Sequence, residues 1–258
     1  MHRFPDRETL VRVRGEAGRE AILIHSLFDP DATLVPTLLA SDALRRRGAQ
    51  RVTLVAPYLP YMRQDRVFRL GEPISQHVVG RLLADAFDRV LTLEAHLHRT
   101  SRLSLVAGRR SCSLSAAPVL ARAVRTIGSD VFVVGPDVES TALVRAVARA
   151  AGVPFVVGRK QRLGDRRVRI ALPSLPSCTH AVMVDDVASS GETLLALARL
   201  LRRAGTRRVD ALVVHPIFGG NALARLRAAG VRRILACDTV PHRVARLSCA
   251  SLFAEALA

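Results

Sequence analysis

The sequence predicts an α/β protein: two tandem Rossmann-like domains with mostly parallel sheets, related by internal duplication. Three observations carry that expectation. Short apolar runs alternate with longer stretches of helical period, the signature of parallel strands joined by crossover helices. The order of these elements is repeated in the two halves of the chain, and duplication of this kind implies similar units related by a pseudo-twofold. A chain of 258 residues, 49% of them hydrophobic, suits two α/β domains of ordinary size with full cores.

In order along the chain, the first copy runs from Ala21 to Tyr58. It comprises the strand A-I-L-I-H, a loop from Ser26 to Thr33, a helix ending R-R-R-G-A-Q and the strand R-V-T-L-V-A-P. An amphipathic stretch and a further strand, D-R-V-L-T-L near 88–93, follow it, with the strand read as running on through E-A to end at His96. Between Ser115 and Val131 an Ala-rich helix leads into the strand V-F-V-V-G. The second copy, Ala181 to Pro216, repeats the pattern with A-V-M-V-D, a loop, a helix ending R-R-A-G-T-R and the strand R-V-D-A-L-V-V-H-P, and R-R-I-L-A-C at 232–237 closes it. The expected domains are 1–122 and 123–244. The closing segment 245–258, helical from about Ser248, is expected to return to the first domain.

The net charge of +17 does not indicate nucleic acid. Arginines occur in twos and threes on helical patterns, as at Arg45, Arg46 and Arg47; Trp is absent and aromatics are 4%, so a base-stacking surface is poorly supplied. Small anions profit from the same field. No apolar stretch approaches membrane-spanning length and no signal-peptide core opens the chain, so no membrane partner is expected. Cys112, Cys178, Cys237 and Cys249 are scattered without metal-ligand or disulfide spacing, which points to the reducing cytoplasm.

The most informative stretch is V-M-V-D-D-V-A-S-S-G-E-T-L at 182–194. An apolar run ends in adjacent carboxylates, Asp185 and Asp186, followed by Ser189, Ser190, Gly191, Glu192 and Thr193 and a helical pattern from about Leu194. Backbone N–H groups of such a turn can ring a phosphate at a helix N-terminus, and the carboxylates can accept hydrogen bonds from vicinal ribose hydroxyls. A second clue lies in the cations. Lys160 is the only lysine among 39 basic residues, which suggests that a compact ammonium matters there.

The 182–194 pattern resembles the phosphoribosyl-binding signature of the phosphoribosyltransferase fold. Five further clusters join it: R-F-P-D-R-E at 3–8, P-Y-L-P-Y-M-R-Q-D-R at 57–66, E-A-H-L-H-R at 94–99, G-P-D-V-E-S at 135–140 and G-R-K-Q-R at 158–162. In order and spacing the six together resemble the ribose-phosphate pyrophosphokinase family, over nearly the whole chain. That resemblance implies two phosphoribosyltransferase-like domains and transfer of the β,γ-diphosphoryl group of ATP to ribose 5-phosphate, with Mg²⁺ as cofactor. It implies ATP contacts from Phe4, Asp6, Glu8, Arg63 and Gln64, a metal site at His96 and Asp137, and catalytic roles for Lys160 and Arg162 on a mobile loop or hairpin. Residues 185, 186 and 189–193 then hold the ribose phosphate, while His98 reads as structural or solvated. Asp6 and Glu8 match residues that reach a neighbouring subunit's ATP, so a homo-oligomer, a dimer or larger, is expected.

The sequence also departs from the family pattern. The sugar-phosphate loop reads S-S-G-E-T instead of D-T-G-G-T, and Glu192 repels a phosphate unless it points away as an early-helix acid. Glu139 and Ser140 replace a Gly pair, and Arg7 replaces a Gly. Family members carry a further strand and helix before the R-F-P-D-R-E cluster, so either the true start lies upstream of Met1 or this is a shortened variant, and the first sheet is expected to be the weaker for it. Two alternatives stay open on sequence grounds: a phosphoribosyltransferase of nucleotide salvage, and a catalytically weak regulatory relative.

Overall fold

A computed structural model of the chain describes residues 1–97, 100–162 and 168–258. They form two compact units, Met1–Leu114 with Phe253–Ala258, and Ser115–Leu252.

The first unit opens with a two-stranded antiparallel hairpin, β1 (His2–Arg3) and β2 (Thr9–Leu10). A four-stranded parallel sheet follows, ordered β3 (Glu20–Ile24), β4 (Arg51–Ala56), β5 (Arg89–Leu93) and β6 (Cys112–Leu114). Helix α1 (Pro30–Arg46) joins β3 to β4, and α2 (Ser75–Ala86) joins β4 to β5. A proline suits the opening of α1 because the first helical N–H has no intrahelical acceptor to lose, and the closing Arg45 and Arg46 complement the helix dipole. Val52, Leu54 and Ala56 pack with Val79, Leu83, Val90, Leu27 and Met62 in this unit's core. β3 lies at the sheet edge, with Ile22 and Ile24 exposed. In the same unit Arg89 donates to the Ala256 carbonyl at 2.9 Å, tying the end of the last helix to the start of β5.

The second unit begins with α3 (Ala117–Ile127), β7 (Val131–Gly135), α4 (Thr141–Ala151) and β8 (Phe155–Val157). A separate antiparallel hairpin, β9 (Arg159–Arg162) with β10 (Val168–Ala171), interrupts the progression. Then come β11 (His180–Ala188), α5 (Glu192–Arg203), β12 (Arg208–Pro216), α6 (Ala222–Ala228), β13 (Val231–Cys237), β14 (Ala245–Leu247) and α7 (Ala250–Leu257), which runs on into the first unit. The six-stranded sheet is parallel throughout, in the order β14-β13-β12-β11-β7-β8. Val182, Met183 and Val184 are fully buried, as a strand covered on both faces requires. α5 buries Leu194, Leu195, Leu197 and Leu201 on one stripe, and full burial of such a side chain contributes about 1.5–3 kcal/mol.

The duplication is visible in the topology. β3-α1-β4-α2-β5-β6 and β11-α5-β12-α6-β13-β14 have the same strand order. The difference lies beside the first strand of each. β11 is flanked by β7, from which α4 leads outward to β8, whereas α5 leads from β11 the other way to β12. Strand order therefore reverses between β7 and β11, and such a reversal opens a crevice beyond the carboxyl ends of the strands. The first sheet progresses in one direction only, so its described strands contain no such point.

Three boundaries differ from the sequence reading. α1 starts at Pro30, inside the stretch read as loop, because Asp29 in a left-handed conformation (φ 56°) already turns the chain. α5 starts at Glu192, ahead of the apolar stripe, because helix-starting acids need no core contact. β5 ends at Leu93, so His96 stands three residues beyond the strand rather than at its end.

Candidate functional site

The crevice between β7 and β11 collects the acidic residues singled out by sequence. β11 pairs with β7 only from His180 to Met183 and then runs on to Ala188, so Asp185 and Asp186 lie past the end of β7. Asp137 lies past the same end, two residues after Gly135. Its Oδ1 accepts hydrogen bonds from the backbone N–H groups of Glu139 (3.1 Å) and Ser140 (3.3 Å), which fixes the carboxylate and leaves Oδ2 facing the crevice. Lys160 Nζ lies 3.2 Å from that Oδ2, and both side chains are about 15% exposed, at 15% and 14%.

These groups share one electrostatic field. Burial pushes the Asp185 carboxyl well above its ordinary value of 3.8; the nearby charges of Asp186 and Asp137 push the same way, and the Lys160 ammonium opposes them. Three acidic side chains beside one ammonium make the crevice rich in hard oxygen donors, the kind that a cation takes.

Glycine makes the close approach possible. Gly158, which links β8 to β9, donates to the Gly135 carbonyl at 2.9 Å. A Cβ at position 158 would lie 2.7 Å from the Pro136 carbonyl oxygen and 2.9 Å from Ile170 Cγ2, so a side chain there would push apart the segments carrying Asp137 and Lys160. Arg162 stands at the rung opposite Val168 of the hairpin, and the turn 163–167 lies outside the described residues.

The loop after β11 is braced from beneath. Ser189 accepts from Gly219 N at 3.1 Å, and Gly191, with φ 73°, turns the chain into α5, where Leu195 N donates to the Gly191 carbonyl. A Cβ at Gly191 would meet Ala222 Cβ at 3.2 Å, so α6 packs directly against this turn. Ser190 is exposed, Ser189 and Thr193 half-buried. Glu192 is held by Arg225 of α6 through two parallel bonds of 2.5 and 3.0 Å. Sequence reasoning missed Arg225, since no local pattern marks one arginine among many as the partner of a residue 33 positions away.

The remaining predicted residues belong to the first unit. Gln64 is gripped by the start of α2: its side-chain oxygen accepts from Ser75 Oγ at 2.5 Å and its carbonyl from Gln76 N at 3.2 Å. Arg63 beside it is exposed, after a turn in which Tyr61 (φ 63°) donates its hydroxyl to Asp31 at 2.6 Å. The segment carrying His96 is pinned to β6 by Glu94 N to the Leu114 carbonyl and Ala95 N to Ser113 Oγ, both 2.8 Å; His96 itself is half-buried. His98 lies outside the described residues. Phe4, Asp6 and Glu8 are exposed at the β1–β2 hairpin, where Asp6 Oδ1 accepts from Glu8 N at 3.1 Å.

Comparison with known proteins bears on both units. Residues 1–86 match the model of the N-terminal domain of ribose phosphate pyrophosphokinase, and residues 116–251 match that of the phosphoribosyl transferase domain. The ribose-phosphate pyrophosphokinase of Methanopyrus kandleri is 36% identical over 259 residues, covering 99% of this chain and 88% of the relative. That of Thermococcus kodakarensis is 34% identical, covering 96% and 88%. The crystal structure of phosphoribosylpyrophosphate synthetase from Mycobacterium smegmatis superposes with a TM-score of 0.82 at 27% identity, over 99% of this chain and 87% of that one. Sequence, fold and relatives agree: the chain belongs to the ribose-phosphate pyrophosphokinase family.

Proposed function

We propose that the protein is an ATP-dependent diphosphotransferase that converts ribose 5-phosphate and ATP to 5-phosphoribosyl 1-diphosphate and AMP. The observation that carries this reading is the cluster of Asp137, Lys160, Asp185 and Asp186 at the strand-order reversal, beside the turn 189–193 that starts α5, in a chain of this family. The anomeric oxygen attacks the β-phosphorus of ATP, the bond from that phosphorus to the oxygen bridging to the α-phosphorus breaks, and AMP leaves with the bridging oxygen. The proton of the anomeric hydroxyl passes to solvent.

In this reading the N–H groups of Ser189 to Thr193 hold the 5-phosphate at the positive end of α5, while Asp185 and Asp186 accept hydrogen bonds from the ribose hydroxyls. Lys160 and Arg162 spread positive charge over the migrating diphosphoryl group. Arg63 and Gln64, with Phe4, Asp6 and Glu8, serve ATP. The presentation of Phe4, Asp6 and Glu8 on an exposed hairpin supports a homo-oligomer in which they serve a neighbouring subunit. The scattering of the four cysteines without disulfide spacing supports a cytoplasmic setting.

Asp137 suits Mg²⁺: it is a hard oxygen donor whose Oδ2 already faces a cation, and His96 is its proposed partner. Bound there with the phosphates, the ion would neutralise charge on the diphosphate. One carboxylate and one imidazole are too few to hold Mg²⁺ without phosphate oxygens. Calorimetry is therefore expected to find weak Mg²⁺ binding to the protein alone and strong binding with a non-hydrolysable ATP analogue; tight binding to the protein alone would count against this site. The function itself is tested with purified protein, ATP, Mg²⁺ and a panel of pentose phosphates. AMP release dependent on ribose 5-phosphate is expected, whereas pyrophosphate release dependent on a nucleobase would identify a nucleotide-salvage transferase. Among the described residues no helix is long and apolar enough to cross a membrane.

A further inference from the structure

Glu192 sets a carboxylate at the first position of α5, inside the turn that is to hold a doubly charged phosphate. Left alone, it would oppose that anion at short range. The structure instead gives it a fixed counter-charge. The two terminal nitrogens of Arg225 each donate to one Glu192 oxygen in a fork, and the two side chains are 38% and 28% exposed, so solvent screens the pair only in part. Two further contacts join the same segments, Gly219 N to the Ser189 carbonyl and the close approach of Gly191 to Ala222. Gly191 lends α5 no side-chain cap and Ser190 Oγ accepts only a long bond, 3.5 Å, from Glu192 N, so the crosslink to α6 is the stronger restraint on the turn.

We propose that Arg225 is a positioning residue for the sugar phosphate. Its fork turns Glu192 toward α6 and cancels its charge, so that the turn offers N–H donors and the helix dipole to the phosphate without a competing anion. The family pattern reaches a neutral turn with glycine; this chain reaches it with an ion pair that also stiffens the loop. The role depends on the sugar-phosphate reading of residues 189–193.

The test is titration calorimetry of ribose 5-phosphate, which needs no turnover, with melting curves to confirm folding. Arg225→Ala is expected to weaken binding roughly tenfold or more, the size of an uncompensated, partly screened like charge at short range, and to leave the affinity for an ATP analogue near that of the wild type. The loss should appear in KM for ribose 5-phosphate rather than in kcat. Adding Glu192→Gly to Arg225→Ala should restore binding, which lost packing alone would not allow. Unchanged binding in Arg225→Ala, or no rescue in the double variant, overturns the proposal. If Arg225→Ala does not fold, Glu192→Gly alone decides: a released Arg225 should tighten binding, and unchanged or weaker binding overturns the proposal. Failure of the underlying reading would look different, as a wild-type protein that does not bind ribose 5-phosphate at all.

Discussion

Lys160→Arg is expected to lower kcat by roughly a hundred- to a thousandfold, the usual cost of losing one preorganised contact to transition-state charge. Charge is conserved in this change, so the expectation rests on shape. Lys160 Nζ rests 3.2 Å from Asp137 Oδ2 in a crevice that leaves the side chain 15% exposed. An ammonium on a flexible stem can leave that carboxylate and follow the diphosphoryl group as it moves, whereas a planar guanidinium grips a carboxylate with two parallel bonds and imposes its own geometry on the phosphates. Substrate affinities and folding should change little. Single-turnover rates of Lys160→Arg and Lys160→Ala check this; a near-wild-type rate in the Arg variant would make the lone lysine an accident of composition.

Asp185→Asn should cut kcat/KM for ribose 5-phosphate by roughly ten- to a hundredfold, the cost of losing a hydrogen bond to a charged group, and should raise the melting temperature at neutral pH. Asp186→Asn should weaken ribose 5-phosphate use in the same way. The stability gain follows from the raised carboxyl pKa of Asp185, caused first by burial and then by the charges of Asp186 and Asp137. A carboxyl with a raised folded-state pKa holds its proton more firmly folded than unfolded. Its contribution is therefore fully present below the unfolded value near 3.8 and is lost as pH climbs through the folded value. At neutral pH the native protein bears that loss and the Asn variant does not. Denaturation curves from pH 4 to 8, spanning ~4 units of that linkage, should show the Asn advantage growing as pH rises. A collapse of ATP affinity with sugar-phosphate affinity intact would reverse the assignment of the two carboxylates.

Much of the fold was legible because the signals are local. Runs such as V-F-V-V-G and A-V-M-V-D are too apolar for anything but buried strands, and the helices between them carry their period openly. The acidic ends of those runs could be read as site residues for the same reason, since carboxylates at the end of a buried strand are costly without a use. What escaped were relations between distant segments. Nothing near Glu192 names Arg225, and nothing near Lys160 shows that its ammonium rests on Asp137, 23 residues earlier. The three-residue offset of His96 escaped too, because β5 stops where its neighbour β6 stops, and E-A-H reads as a continuation of the strand.

The β9–β10 hairpin has a mechanical consequence. Lys160 and Ile170 occupy the same rung, and Ile170 is driven into the core of the second unit, 9% exposed among Phe132, Val134 and Met183. That rung anchors a hairpin whose described strands pair with each other and whose β10 packs against α5. Lys160 stands on that anchored rung, so the core sets its backbone station while its ammonium reaches Asp137. Arg162 stands two residues farther along β9, opposite Val168. The packing of the second unit thus sets where the chain's one ammonium is based.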